Sequence, residues 1–350
     1  MLVPNRPFPR AIIFGCSGPQ LTEDEFQFFR DADPLGLILF DYNCETPDQL
    51  KRLVSSFRKA VDRESAPILI DQEGGRVTRL KDPHWRHPPP ASVFAEAAKT
   101  DLGEACALAR TNSRLIARDL IALGITVDCA PVIDVPVPGA HNIIGDRALG
   151  LDPDVIAALG RAICDGLHDE GVSPVIKHMP GHGRARTDSH NDLPRVSESL
   201  ELLENTDFQP FRLLSDMPYA MTAHIVFDAI DSHHPATISS RIINEIIRGS
   251  ISFDGVVLSD DIGMEALSGT PAERAQAAIV AGCDVVLECW GNLDVMRDIA
   301  PAVPHLSVAS TERLMRAEVM RLSRRASAPP LTESAQLNLE RLIDRFQAEV

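Results

Sequence analysis

Apolar residues along the chain gather into short runs that end in polar or glycine-rich turns, and the segments between them carry helical spacing or helix-forming composition. Eight runs can be marked: Ala11 to Cys16, Leu35 to Phe40, Pro67 to Ile70, Thr126 to Val135, Pro174 to Lys177, Ala220 to Val226, Gly255 to Asp260 and Asp284 to Cys289. Near-continuous apolar runs suit parallel strands covered on both faces, because a half-solvated strand would alternate. The intervening stretches are long enough for the crossovers that parallel pairing requires. Leu50 to Val61, Leu102 to Leu123, Val155 to Glu170, Ser199 to Leu214 and Ala272 to Ala281 read most clearly as helices.

Eight strand-like runs alternating with helices predict an α/β fold, a closed (β/α)8 TIM-like barrel. An open doubly wound sheet would often have fewer strands and a glycine fingerprint after the first, and none follows Phe14. The chain's 350 residues suit one such barrel. Residues 1–305 are expected to form the catalytic barrel and residues 306–350 a helical extension packed on it. Within that extension, Thr311 to Arg325 and Ser334 to Phe346 are amphipathic segments joined by Ala328-Pro329-Pro330. Arg6 and Arg10 ahead of Ala11-Ile12-Ile13-Phe14-Gly15-Cys16 superficially suggest a signal, but the apolar core is too short, so the segment reads as the first strand.

Composition narrows the function classes. The chain is 44% hydrophobic and 24% charged, and no apolar run approaches the roughly 20 residues that span a bilayer, so no membrane partner is expected. A formal net charge of −16 with no basic stripe to offset it excludes nucleic acid. The seven cysteines lie scattered without a C-x-x-C pair, which points to reduced thiols and a cytoplasmic protein. A monomer is expected.

Several runs end in reactive residues: Asp71-Gln72-Glu73-Gly74-Gly75, Asp134, Lys177-His178, Thr222-Ala223-His224 and Ser259-Asp260-Asp261. In a barrel enzyme these carboxyl ends share the catalytic face. The densest segment runs from Lys177 to His190, with His178, His182, His190 and Asp188 in one loop. A metal site is disfavoured, since no H-E-x-x-H pair is present and Lys177, Arg184 and Arg186 oppose a cation, so neither metal nor cofactor is expected. Proton transfer fits better, with Asp188 holding one nitrogen of the His190 ring and the other facing substrate. Spacing alone leaves all three histidines as candidates. Because strand side chains alternate, only one of Asp260 and Asp261 can enter the barrel mouth, and the alternation does not choose between them.

Taken together, these motifs resemble glycoside hydrolase family 3, specifically its bacterial NagZ-type β-N-acetylglucosaminidases. The likeness runs through Ile70-Asp71-Gln72-Glu73-Gly74-Gly75-Arg76-Val77 to Arg79, Ala130-Pro131-Val132-Ile133-Asp134-Val135 and Ile144-Gly145-Asp146-Arg147. It continues through Lys177-His178 with Pro180-Gly181-His182-Gly183, then Asp188-Ser189-His190, and Asp254 to Met264. The resemblance implies that Asp260 is the nucleophile, His190 the acid/base and Asp188 the residue orienting it. It also implies that Asp71, Arg79, Arg147, Lys177 and His178 bind the N-acetylglucosamine unit. The basic insert Arg184-Ala185-Arg186 departs from the pattern, leaving the catalytic spacing intact and bearing on aglycone preference.

The implied reaction is a retaining double displacement that removes terminal β-linked N-acetylglucosamine from muropeptide fragments in peptidoglycan recycling, through a glycosyl-aspartate. Two tryptophans and two tyrosines supply little material for a long aromatic platform, which favours a small exo-acting pocket for a carbohydrate or muropeptide. Two other readings stay open on sequence: a phosphorylase on the same scaffold, and a sugar-binding barrel without turnover.

Overall fold

The computed structural model describes residues 8–139, 142–185 and 193–349. Among the described residues ten strands follow in chain order: β1 Arg10–Phe14, β2 Pro34–Leu39, β3 Ile68–Ile70, β4 Val127–Asp128, β5 Ser173–Met179, β6 Arg195–Val196, β7 Tyr219–Thr222, β8 Val226–Phe227, β9 Val256–Asp261 and β10 Val285–Glu288. Eight of them close into a parallel barrel in the order β1-β10-β9-β7-β5-β4-β3-β2, while β6 and β8 pair separately. The α/β barrel expected from the hydrophobic pattern is therefore present, and each of the eight marked runs supplies one barrel strand. The barrel strands are buried almost throughout, which is why they read as apolar runs without alternation.

Local signals start the helices. Thr22 with Glu25, Thr46 with Gln49 and Thr270 with Glu273 form reciprocal capping boxes before Glu23–Ala32, Pro47–Ala60 and Pro271–Ala281. The long apolar run from Thr126 pairs as a ladder only over Val127–Asp128, because Pro131 has no N–H to give. The chain nevertheless continues alongside β5, with Ile133 N donating to the Lys177 carbonyl at 2.9 Å. The segment expected as one helix from Ser199 to Leu214 is two, Leu200–Asn205 and Gln209–Leu213. At the break, Thr206 leaves helical geometry and its hydroxyl lies 2.7 Å from both the Leu202 carbonyl and Asp207 Oδ2, which share its one proton.

The helix Val308–Ser327 is tied to segments that precede barrel strands. Asp284, just before β10, accepts from Arg248 (2.7 Å), Arg313 (2.9 Å), Ser310 (2.8 Å) and the Val257 backbone (2.9 Å). Arg321 donates to the Gly171 carbonyl at 2.8 Å, ahead of β5. These ties lie at the amino ends of the strands, away from the face where barrel chemistry takes place. Among the described residues, no helix is long and apolar enough to cross a membrane.

Candidate active site

The loop after β3 folds around Gln72. Its backbone N–H donates to Asp128 Oδ1 at 2.9 Å, and its side-chain oxygen accepts from the backbone of Arg79 (2.9 Å) and Leu80 (3.0 Å). Gly74 sits at φ +102°, where a Cβ would fall 2.3 Å from the Pro89 carbonyl, so only glycine permits this turn. With Gln72 turned inward, Asp71 and Glu73 at i and i+2 share the opposite face.

Both carboxylates meet Lys177 from the end of β5: its Nζ lies 2.8 Å from Asp71 Oδ1 and 2.6 Å from Glu73 Oε1. Arg147 grips Glu73 with two donors, Nε and Nη2, each at 2.8 Å. Arg79 reaches Asp71 at 3.3 Å and lies over the Phe40 ring, 5.0 Å from its centroid. Burial works against the charge on Glu73, yet Arg147 and Lys177 hold its carboxyl far below the usual range. Asp71 is likewise held down, against burial, by Lys177 and Arg79. Burial would neutralise Lys177, but Asp71 and Glu73 raise it above an ordinary lysine. The result is a rigid grid of charged donors and acceptors suited to sugar hydroxyls. Asp71, Arg79, Arg147 and Lys177, singled out from sequence, converge here. Glu73, which bonds Arg147 and Lys177, stood in the reactive run after β3 but was given no role, although its i, i+2 relation to Asp71 was a usable signal.

A second cluster surrounds Asp134. Its Oδ1 accepts from the backbone N–H of His178 (3.1 Å) and His182 (2.7 Å), and its Oδ2 lies 2.7 Å from His178 Nδ1. Against burial, His178 and His182 hold the Asp134 carboxyl below its usual value, so it accepts the Nδ1 proton and leaves His178 Nε2 for a ligand. Burial, with His178 alongside, pushes His182 down to about 4, keeping it neutral at physiological pH. The described residues thus contain a carboxylate-oriented imidazole at His178.

At the end of β9 the two adjacent aspartates separate. Asp261 is buried, and its Oδ1 accepts from the backbone of Gly263 (3.0 Å) and Cys289 (3.2 Å). Asp260 is partly exposed and takes one backbone bond, from Asp261 N at 2.8 Å. Burial opposes its charge, but His224, His178 and Lys177 hold the Asp260 carboxyl below its usual value, whereas burial raises Asp261. An anionic carboxylate thus faces the mouth while its neighbour is tied to the turn.

Asp188 and His190 lie outside the described residues. Of the basic insert expected to bear on aglycone preference, Arg184 is described and Arg186 lies outside the described residues. Arg184 is spent internally, with Nε donating to Asp207 Oδ2 at 2.7 Å and Nη2 to the Thr206 hydroxyl at 3.1 Å. It anchors the loop to the break between the helices at 200–205 and 209–213.

Residues 21–324 match the Glycosyl hydrolase family 3 N terminal domain. The chain belongs to glycosyl hydrolase family 3. It is similar to a beta-hexosaminidase of Alkalilimnicola ehrlichii, 37% identical over 87% of each chain. A beta-hexosaminidase of Methylococcus capsulatus is 39% identical over 79% of this chain and 82% of its own. Among solved structures, NagZ from Neisseria gonorrhoeae in complex with N-trifluoroacetyl-D-glucosamine superposes with a TM-score of 0.83 at 30% identity, covering 97% of this chain and 98% of that one. The protein is a glycoside hydrolase.

Proposed function

We propose that this family 3 hydrolase is a retaining exo-β-N-acetylglucosaminidase that removes terminal β-linked N-acetylglucosamine from muropeptide fragments, in a cytoplasmic route of peptidoglycan recycling. The observation that carries the catalytic reading is Asp260: an ionised carboxylate at the barrel mouth beside an aspartate whose oxygen is held by backbone amides. The relatives' beta-hexosaminidase names and the sugar in the Neisseria complex support the N-acetylhexosamine assignment.

In the proposed cycle, Asp260 attacks the anomeric carbon while His190, oriented by Asp188, gives its proton to the departing glycosidic oxygen. The C–O bond to the aglycone breaks as the glycosyl ester to Asp260 forms. His190 then takes a proton from water, whose oxygen displaces Asp260 and restores the β configuration. Neither the imidazolium that gives the proton nor the neutral imidazole it leaves repels Asp260 as a second carboxylate would, and an ordinary histidine pKa near 6.5 already suits proton transfer in both directions. Asp71, Arg79, Arg147, Lys177 and His178 hold the sugar, with Glu73 fixing the two cations it bridges.

Trapping with a fluorinated N-acetylglucosaminide followed by peptide mapping tests the reading. Label on Asp260 is expected, and label on Asp261 or elsewhere refutes it. Turnover with and without phosphate should give free N-acetylglucosamine in both, whereas the sugar 1-phosphate as main product would make the enzyme a phosphorylase.

A further inference from the structure

The run that forms β7 leaves the barrel ladder after Thr222 and pairs again only at Val226, in the separate sheet with β6. His224 lies in this gap. Its ring is fully buried, so it touches no substrate, yet both nitrogens have partners. Nε2 lies 2.9 Å from the Asp261 carbonyl and Nδ1 lies 2.7 Å from the Thr237 hydroxyl. A carbonyl only accepts, so the hydrogen is on Nε2. Thr237 is itself held by the Thr222 hydroxyl at 2.8 Å, and both threonines are wholly buried. The chain Thr222, Thr237, His224, Asp261 therefore runs from the end of β7 to the last residue of β9 through hydrogen bonds alone.

Asp260 precedes the anchored carbonyl by one residue, and its Oδ1 accepts from the N–H of Asp261 itself. Holding the Asp261 peptide fixes both the backbone that carries Asp260 and the donor that orients its carboxylate. We propose that His224 is a positioning residue: by donating Nε2–H to the Asp261 carbonyl it locks the end of β9 and aims the Asp260 carboxylate at the anomeric carbon. A leucine would fill the same buried volume and leave the carbonyl unpartnered, so packing alone does not account for an imidazole bonded at both ends. The inference rests on Asp260 being the nucleophile.

The test compares His224→Gln, His224→Asn and His224→Leu in the full chain. Glutamine extends its amide nitrogen to the place of Nε2 and keeps the bond to Asp261; asparagine reaches only the place of Nδ1. Measured are kcat on an aryl β-N-acetylglucosaminide, the rate of Asp260 labelling by the fluorinated sugar, and Kd for N-acetylglucosamine. His224→Gln should stay within about tenfold of the parent in kcat and labelling. His224→Asn and His224→Leu should lose about a hundredfold in both, as a misaimed nucleophile does, with Kd unchanged within about twofold. If the leucine variant does not fold, the glutamine and asparagine pair decides. Equal losses in those two, or losses that follow a weakened Kd, overturn the positioning role while labelled Asp260 in the parent keeps the nucleophile reading intact. Parent protein labelled elsewhere overturns both.

Discussion

Glu73→Gln should damage this enzyme more than any other nearly isosteric change in the grid. Glu73 is 8% exposed at its side chain and offers two oxygens to three donors, Nε and Nη2 of Arg147 and Nζ of Lys177. Glutamine keeps one oxygen and turns an NH2 group toward cations. Before the change, Glu73 pairs with Arg147 and Lys177 while Asp71 pairs with Lys177 and Arg79; afterwards Arg147 has lost its carboxylate partner and Lys177 keeps Asp71 alone of the two. Removing one partner of a buried pair costs about 3–5 kcal/mol, because the charge left behind stays desolvated. At about 2 °C per kcal/mol for a chain this long, the melting temperature should fall by about 6–10 °C. Freed from Glu73, Lys177 would swing to Asp71 and leave both misaligned for hydroxyls, raising KM at least about tenfold. Glu73 titrates below its unfolded value, so its stabilisation is present above roughly pH 4 and is lost as pH falls through the lower folded value. The variant should therefore show a flatter acid limb in melting temperature against pH. A variant within about 0.5 kcal/mol of the parent, with KM unchanged, would refute the stranded-charge reasoning.

Three further outcomes are expected. Asp260→Asn should cost at least about three orders of magnitude in kcat, whereas Asp261→Asn, whose amide oxygen can still accept from Gly263 and Cys289, should keep most of the activity; steady-state rates of the two variants check this. Arg184→Ala should lower stability by leaving the buried Asp207 carboxylate with Thr206 as its remaining bonded side chain, while the ratio of kcat/KM between small and bulky aglycones stays constant. His168 is fully buried with neither ring nitrogen bonded among the described residues, and burial pushes it down to about 4. The unfolded chain binds that proton first, so stability should fall as pH drops from about 6.5 to about 4, by on the order of 3 kcal/mol, and thermal unfolding of His168→Leu should lack that part of the decline.

The barrel was legible because burial of parallel strands on both faces leaves a mark that needs no partner to be seen: an apolar run closed by polar residues. The same economy failed wherever structure depends on distant residues. Ile242, Ile243, Ile246 and Ile247 are buried on one face of the helix Ile242–Ser250, but β-branched residues are not themselves a helix signal, and tertiary packing overrides their preference. The break between Asn205 and Gln209 turns on Thr206 bonding back to Leu202 and on Asp207 finding Arg184.

In the site, alternation explained why Asp260 and Asp261 must differ but gave no reason to choose. The choice came from Gly263 N and from Cys289 N, 28 residues away, which tie up Asp261. Glu73 carries the same lesson in reverse: its i, i+2 relation to Asp71 was there to be read, yet its weight comes from Lys177 and Arg147, and Arg147 lies 74 residues along the chain. Strand ends announce which residues reach the catalytic face; which of them touch substrate and which hold the others in place depends on where backbone amides and opposite charges are already committed. By that criterion Asp260, with one backbone bond, is the carboxylate with capacity left over; Asp261 is held through one oxygen by two backbone amides, and Asp134 and Glu73 have both oxygens bonded.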